Sequence, residues 1–284
     1  MKPLAIGDIT VTKAVEQVLE MERSYMFPLA TEEIIAPHRD WLSPNFLLSD
    51  GKIRMSIHSY VVKTPRYTML VDTCYGNDKK RAACFGNMLN TPYLRDLTAA
   101  GVPPESVDFV FCTHLHSDHT GWNTKLQNGR WVPTFPNAKY VMSRVDWDYW
   151  QTRQPGDFGY DAIQDSVLPV VASKQAVFVD EGYEIDRGVT MELMPGHTPG
   201  AAALNIASQG KKAVCTGDMF HHAMQLIAPQ WGRADVDTEL ANKTRRGVFE
   251  RYAGTDVVVL PAHFPDPTAG RIERRADAFM WTHA

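Results

Sequence analysis

The segment Thr113-His114-Leu115-His116-Ser117-Asp118-His119-Thr120-Gly121 constrains this chain more than any other stretch. It sets three imidazoles and one carboxylate within the six positions 114 to 119. The run before it, Val107-Asp108-Phe109-Val110-Phe111-Cys112, is apolar and rich in β-branched and aromatic residues. That pattern predicts a buried strand that stops where the ligand-type side chains begin. Two histidines at i and i+2 can converge on one ion from a loop, while Asp118 and His119 can face a second. Imidazole and carboxylate suit Zn²⁺ best, and Fe and Mn also accept them. A solvated loop with chance histidines does not account for so dense a cluster.

Three downstream segments supply partners. In Pro195-Gly196-His197-Thr198-Pro199-Gly200, one histidine sits in a loop stiffened by two prolines and two glycines. In Cys215-Thr216-Gly217-Asp218, a short apolar run ends in a carboxylate that can bridge two cations. In Val257-Val258-Val259-Leu260-Pro261-Ala262-His263, an apolar strand ends in a histidine. Alone, His197 or His263 reads more readily as structural than as a ligand. The joint arrangement reverses that reading, because five His and two Asp recur at strand ends. They suffice for two ions with positions left open for water, the mark of a catalytic rather than a structural site.

Bulk properties narrow the function. The chain has 284 residues, 44% of them hydrophobic, a size that suits one large domain or two small ones. A net charge of −4 and a pI near 6.2 argue against a nucleic-acid partner. The basic cluster Lys243-Thr244-Arg245-Arg246 reads as the solvated face of a helix. Four cysteines, at 74, 84, 112 and 215, show no metal-type or secreted spacing; Cys112 and Cys215 are expected as small buried hydrophobes. The first residues lack the apolar run of a signal peptide, and no stretch approaches a membrane span. The expectation is a soluble cytoplasmic protein with no membrane partner.

Along the chain, Ile9–Thr12 is strand-like, and residues 55–72 predict a hairpin with its turn at Pro65. Leu89 to Ala100 predicts a helix stopped by Gly101. Asp237 to Tyr252 predicts another, with Leu240, Val248, Phe249 and Tyr252 on one side. Tyr25-Met26-Phe27-Pro28 and Trp41 to Phe46 are aromatic, proline-broken and loop-like. Strands with ligands at their ends fit an α/β layered fold.

These residues, in this order, resemble the metallo-β-lactamase-fold hydrolase superfamily. His114, His116, Asp118 and His119 match its H-x-H-x-D-H signature; His197, Asp218 and His263 match its later ligand positions. The resemblance runs from about Asp72 to His263. It implies a single four-layer αββα sandwich over residues 1–284, with 1–50 as an N-terminal extension. It also implies two zinc ions: one held by His114, His116 and His197, the other by Asp118, His119 and His263, with Asp218 bridging. Asp72 would support the ligand loop from behind. The look of Trp131 to Ala138 and of Pro261-Ala262-His263-Phe264-Pro265 is that of the lactonase, esterase and methyl parathion hydrolase branch. Two departures stand out. His221, followed by His222, occupies the place where quorum-sensing lactonases usually carry a Tyr, and Cys74 replaces a common Gly.

The resemblance implies a hydrolase that cleaves carboxylic esters or lactones by attack of a metal-bridging hydroxide. Asp218, Asp118 and His221 are the expected catalytic residues. His221 either serves the leaving group or supports a ligand, and His222 is expected to be structural. A phosphotriesterase shares the same site. An iron-dependent oxidoreductase or dioxygenase of the same fold, a β-lactamase and a non-catalytic metal-stabilised module are the further alternatives. Tyr25, Met26, Phe27, Trp41 and Phe46 have two readings. They pack an N-terminal extension onto the core, or they wall an apolar pocket over the metals. A homodimer is expected from the resembling branch.

Overall fold

The computed structural model describes residues 1–81, 85–232 and 234–284. One sheet contains β1 (Leu4–Ile6), β2 (Ile9–Met21), β3 (Ile53–Lys63), β4 (Thr68–Val71) and β5 (Phe109–Cys112). A small hairpin, β6 (Thr124–Gln127) and β7 (Arg130–Pro133), branches off before β8 (Lys139–Ser143) and β9 (Ala176–Val179) complete that sheet in the order β1-β2-β3-β4-β5-β8-β9. The second sheet runs in sequence order. It contains β10 (Glu184–Asp186), β11 (Val189–Leu193), β12 (Ala202–Ser208), β13 (Lys211–Gly217), β14 (Val258–Pro261), β15 (Gly270–Arg275) and β16 (Ala278–His283).

Side chains alternate between the faces of a strand, and that alternation builds the layers. Phe111 of β5 joins Val62 and Val71 of its own sheet and Leu204, Cys215 and Leu260 of the other. Its neighbours Val110 and Cys112 face the opposite way, onto Leu97 of helix Tyr93–Ala99 and Trp150 of helix Arg144–Trp150. In the second sheet, Val214 and Val259 face outward under Val248 and Phe249 of helix Thr238–Tyr252. The result is the expected αββα order. Because helices cover the outer faces, β4, β5 and β14 are buried on both sides and read as unbroken apolar runs.

Strand direction then collects the strand ends. β4, β5, β8 and β9 are parallel, as are β13 and β14. β11 is antiparallel to β12 and β12 to β13, so β11 points the same way as β13. Residues that follow β4, β5, β11, β13 and β14 therefore meet at one edge. The sheets are stitched together there: Ala202 N donates to Thr113 O at 2.8 Å, and Ser56 N to His263 O at 2.9 Å. Gly217, at φ +52°, lets the chain leave β13 against the ligand loop, since a Cβ would lie 2.7 Å from the Thr113 side chain.

Several expectations are refined. β2 extends from Ile9 to Met21, and a register shift between Val15 and Gln17 accompanies the burial of Glu16. Glu16 accepts from Tyr75 N, Gly76 N and Trp122 Nε1. The hairpin of β1 and β2, from Leu4 to Met21, is thus part of the first sheet. The loops expected at 25–28 and 41–46 contain the short helical turns Arg23–Met26 and Arg39–Leu42. The helix expected over 89–100 spans Tyr93–Ala99, because Pro92 caps it and disfavours a helical conformation at Thr91.

Helix Thr238–Tyr252 is capped by Asp237, whose side chain accepts from Leu240 N. Its buried stripe is Ala241, Arg245, Val248, Phe249 and Tyr252. Leu240, expected on one side with Val248, Phe249 and Tyr252, is exposed while those three are buried; Arg245, expected in solvent, is fully buried. The 241-245-248-252 spacing sets the face. Cys74, Cys112 and Cys215 are buried free thiols, and Cys84 lies outside the described residues. Among the described residues, no helix is long and apolar enough to cross a membrane.

Phe111 fills the space between the sheets with no exposed surface. Phe111→Ala is expected to cost about 3–5 kcal/mol. In urea unfolding, the midpoint should fall with the slope unchanged.

Candidate metal centre

The centre is built outward from Asp72, the residue after β4. It has a left-handed backbone, φ 59°, a conformation in which Asp is enriched. Its carboxylate accepts Thr113 N at 2.8 Å, Thr113 Oγ1 at 2.9 Å and His119 Nδ1 at 2.9 Å. Since the Thr113 hydroxyl donates to Asp72, its oxygen is left to accept from His114 Nδ1, 3.1 Å away. Two histidines of the loop thus carry their proton on Nδ1 and turn Nε2 inward. His263 does the same through Ser56 O at 3.2 Å, and His197 through Asp235 at 3.1 Å. Anchoring the outer nitrogen of a ligand histidine fixes both tautomer and ring orientation. His116 differs: its Nδ1 faces the centre, and its ring packs against Trp150 and Phe158 at 5.2 and 5.4 Å.

The donor atoms fall into two sets that share one residue. His114, His116, His197 and Asp218 form the first; Asp118, His119, Asp218 and His263 form the second. Within each, the donor atoms lie within 4.8 Å of one another. In the first, His116 Nδ1 is 3.0 Å from both His114 Nε2 and His197 Nε2. In the second, Asp218 Oδ2 is 3.2 Å from His119 Nε2, and Asp118 Oδ2 is 3.5 Å from His263 Nε2. His263 Nε2 comes within 2.9 Å of Asp218 Oδ1 without hydrogen-bond alignment. His119 Nε2 and Asp218 Oδ1 are buried and make no hydrogen bond. Buried polar atoms in that state need a partner, and two divalent cations fit this donor chemistry.

The two sets differ electrostatically. Burial holds His114 and His116 well below the ordinary imidazole range and lowers His197, so the three imidazoles of the first set favour the neutral form that binds metal. Burial acts the same way on His119 and His263. Asp218 and Asp118 outweigh it at both, with Asp72 also acting on His119, and push both histidines up. Burial opposes charge on Asp118 and Asp218 as well, yet His119 and His263 hold both carboxyls below their usual range. A cation entering the second set displaces those protons.

A cavity of about 230 Å³ opens onto both sets, with His116, Asp118, His197, Asp218, His221 and His263 on its floor. Its walls are apolar: Leu19 and Met21 of β2, Met55 and Ile57 of β3, with Tyr25, Met26, Tyr75, Phe85 and Phe158. Of the five predicted wall residues, Tyr25 and Met26 line it and three do not. Phe27 and Phe46 are buried behind it, with rings 5.5 and 5.6 Å from His222. Trp41 is half-buried against the same core and faces His38. The turn Arg23–Met26 sends Tyr25 and Met26 to one side and Phe27, which follows it, to another, whereas Trp41 and Phe46 belong to a separate segment packed on the core. His221 reaches the cavity with Nε2 3.2 Å from Asp218 Oδ2. His222 turns into the core and accepts from Met224 N. A larger cleft, about 750 Å³ and lined by Thr64, Arg66, Asp186 and Gln209, lies at the other edge of the sheets and contains no member of either donor set.

Sequence reasoning missed three supports. Asp146, on helix Arg144–Trp150, accepts from Leu115 N at 2.9 Å and Gly200 N at 3.0 Å, tying the ligand loop to the His197 loop. Gln225 accepts from His221 N and His222 N. Asp235 holds His197. Gln225 closes a capping box around His222, and the partners of Asp146 and Asp235 are distant in the chain. Phe158, 72% exposed between two glycines, offered only a weak signal.

Comparison with known proteins agrees with this geometry. A profile of the metallo-beta-lactamase superfamily matches residues 54–270. The N-acyl homoserine lactonase of Bacillus cereus is 24% identical over 215 residues, 71% of this chain and 79% of that protein. The N-acyl homoserine lactonase AttM of Rhizobium radiobacter is 27% identical over 180 residues, 61% of this chain and 64% of its own length. Among solved structures, AidC, a dizinc quorum-quenching lactonase, superposes with a TM-score of 0.83 at 22% identity, covering 100% of this chain and 97% of that one. The hydrolase AbOPH superposes at 0.81 with 24% identity, covering 99% and 96%.

Burial pushes the Asp146 carboxyl up to about 6 from an ordinary 3.8, against the hydrogen bonds that favour its ionised form. A raised carboxyl binds its proton more tightly in the folded chain. Its contribution to stability is full below pH 3.8 and is lost as pH rises through about 6. The loss is on the order of 3 kcal/mol. Asp146→Asn should flatten that part of the stability profile relative to wild type, and urea unfolding across this pH range measures the difference.

Proposed function

The chain belongs to the metallo-β-lactamase superfamily, and on that premise we propose that it is a dinuclear zinc hydrolase of lactones and carboxylic esters, with N-acyl homoserine lactones as the leading class. One observation carries the reading: two donor sets sharing Asp218 form the floor of an apolar-walled cavity. His114, His116 and His197 would hold one ion, Asp118, His119 and His263 the other, and Asp218 both. Two ions give all seven residues a task, whereas a single iron leaves Asp118, His119 and His263 idle.

Bound zinc would supply Lewis acidity and lower the pKa of a water toward neutrality. The protein's own residues orient and shield. Asp118, whose side chain is 19% exposed, accepts a hydrogen bond from the attacking water. His221 offers a hydrogen bond from Nε2 to the ring oxygen as the acyl C–O bond breaks. The apolar walls hold an acyl chain and exclude bulk water, which strengthens each polar contact on the floor. Asp72 keeps His119 aimed.

The test compares lactones of short and long acyl tail, aryl esters and phosphotriesters on zinc-loaded protein. We expect kcat/KM above about 10⁴ M⁻¹s⁻¹ on lactones. Removing the metal with a chelator should abolish turnover, and adding zinc should restore it. Asp218→Ala should fall to background. Full activity and full metal content in Asp218→Ala would sink the reading, and a clear preference for phosphotriesters would move the substrate class.

A further inference from the structure

Arg245 lies midway along helix Thr238–Tyr252, yet its side chain is fully buried. A guanidinium has five N–H donors and stays charged in proteins, so burial demands five acceptors and a countercharge. Both are present. Nε donates to Met219 O at 2.7 Å. Nη1 donates to Pro229 O at 2.7 Å and Asn242 Oδ1 at 3.1 Å. Nη2 donates to the two Asp235 oxygens at 3.4 and 3.2 Å. Asp235 is itself buried, and its Oδ1 accepts from His197 Nδ1 at 3.1 Å. Met219 directly follows Asp218. One guanidinium therefore holds the groups that aim two donors of the first set.

The surrounding chain is shaped around this contact. A Cβ on Gly232 would lie 2.1 Å from Asp235 Oδ2 and 3.2 Å from Arg245 Nη1. Val236 N donates to His197 O and Asp237 N to Gly196 O, both at 3.0 Å. The second set is anchored elsewhere, His119 by Asp72 and His263 by Ser56 O.

We propose that Arg245 and Asp235 are positioning residues for the ion held by His114, His116, His197 and Asp218, and that they set its affinity apart from that of the second ion. The proposal rests on the dinuclear reading above. An ionised carboxylate can only accept, so Asp235 keeps the His197 proton on Nδ1 and the Nε2 lone pair directed inward. Arg245 keeps Asp235 from turning away. The one donor that Asp235 touches is His197, which belongs to the first set, so its direct effect falls on one ion.

The test uses the full chain and two readouts other than turnover. Nitrogen NMR of the metal-free protein reports the His197 tautomer, and cadmium NMR with competitive zinc titration reports the two ions separately. His197→Ala identifies the first-set signal. In wild type, His197 should carry its proton on Nδ1. Asp235→Asn and Arg245→Lys should keep the fold by circular dichroism and weaken first-set binding by about 10–100-fold. Asp235→Asn should leave the second ion unchanged, whereas Asp72→Asn, which loosens both His114 and His119, should weaken both. The proposal is overturned if wild-type His197 is protonated on Nε2, or if folded Asp235→Asn weakens both ions equally or neither. A wild type with one cadmium signal would defeat the dinuclear reading. The positioning role would then stand or fall on the His197 tautomer and on loss of that signal in Asp235→Asn.

Discussion

The Asp72 carboxylate sits where β4 gives way to the ligand loop of its parallel neighbour β5, and the centre depends on the donors it gathers. Val71 pairs with Phe111, so Asp72 arrives level with Cys112, and its carboxylate reaches the next residue, Thr113, along the sheet edge. Through Thr113 N it pins the start of the loop. Through the Thr113 hydroxyl it orders His114, and directly it orders His119. Thr73, the next residue, donates to His119 O at 2.7 Å and closes the same loop from the far side. Each of these donors is buried, and an unpaired one costs about 1–3 kcal/mol. The geometry is therefore enforced by satisfaction of polar groups rather than by stiffness of the loop.

The same logic extends around the centre. Four of the five ligand-type histidines are held by Nδ1, each by an acceptor from a different part of the chain. That leaves four Nε2 atoms, the His116 Nδ1 and two carboxylates converging on the floor of the cavity. Burial lowers the imidazoles of one half, whereas in the other half Asp118 and Asp218 outweigh burial and raise them. The asymmetry comes from Asp118, which gives the second half a carboxylate of its own where the first has a third histidine. The apolar walls above, drawn from β2, β3 and the turn Arg23–Met26, raise the strength of every charge on the floor.

Much of this was visible in the chain. The donors were legible because they are dense and because each follows an apolar run, so local pattern and ligand chemistry agreed. Asp72 was legible through the matching strand end. Asp146 was not: it reaches Leu115 across 31 positions and Gly200 across 54. Arg245 sat in a basic cluster that reads as solvent-facing, and only the helix's rotation against the second sheet shows it pointing inward. Phe27, Trp41 and Phe46 share their composition with Tyr25 and Met26, and nothing local says which of them turn toward the cavity.

By itself the sequence determined the donor types, their places at strand ends and the layered α/β architecture, because two-residue alternation and ligand chemistry act over a few neighbouring residues. The tertiary structure alone decided which nitrogen of each imidazole faces inward, which donors share a set and which aromatics wall the cavity. Those outcomes depend on acceptors and packing surfaces brought together from opposite sheets, and no local pattern encodes the register between them.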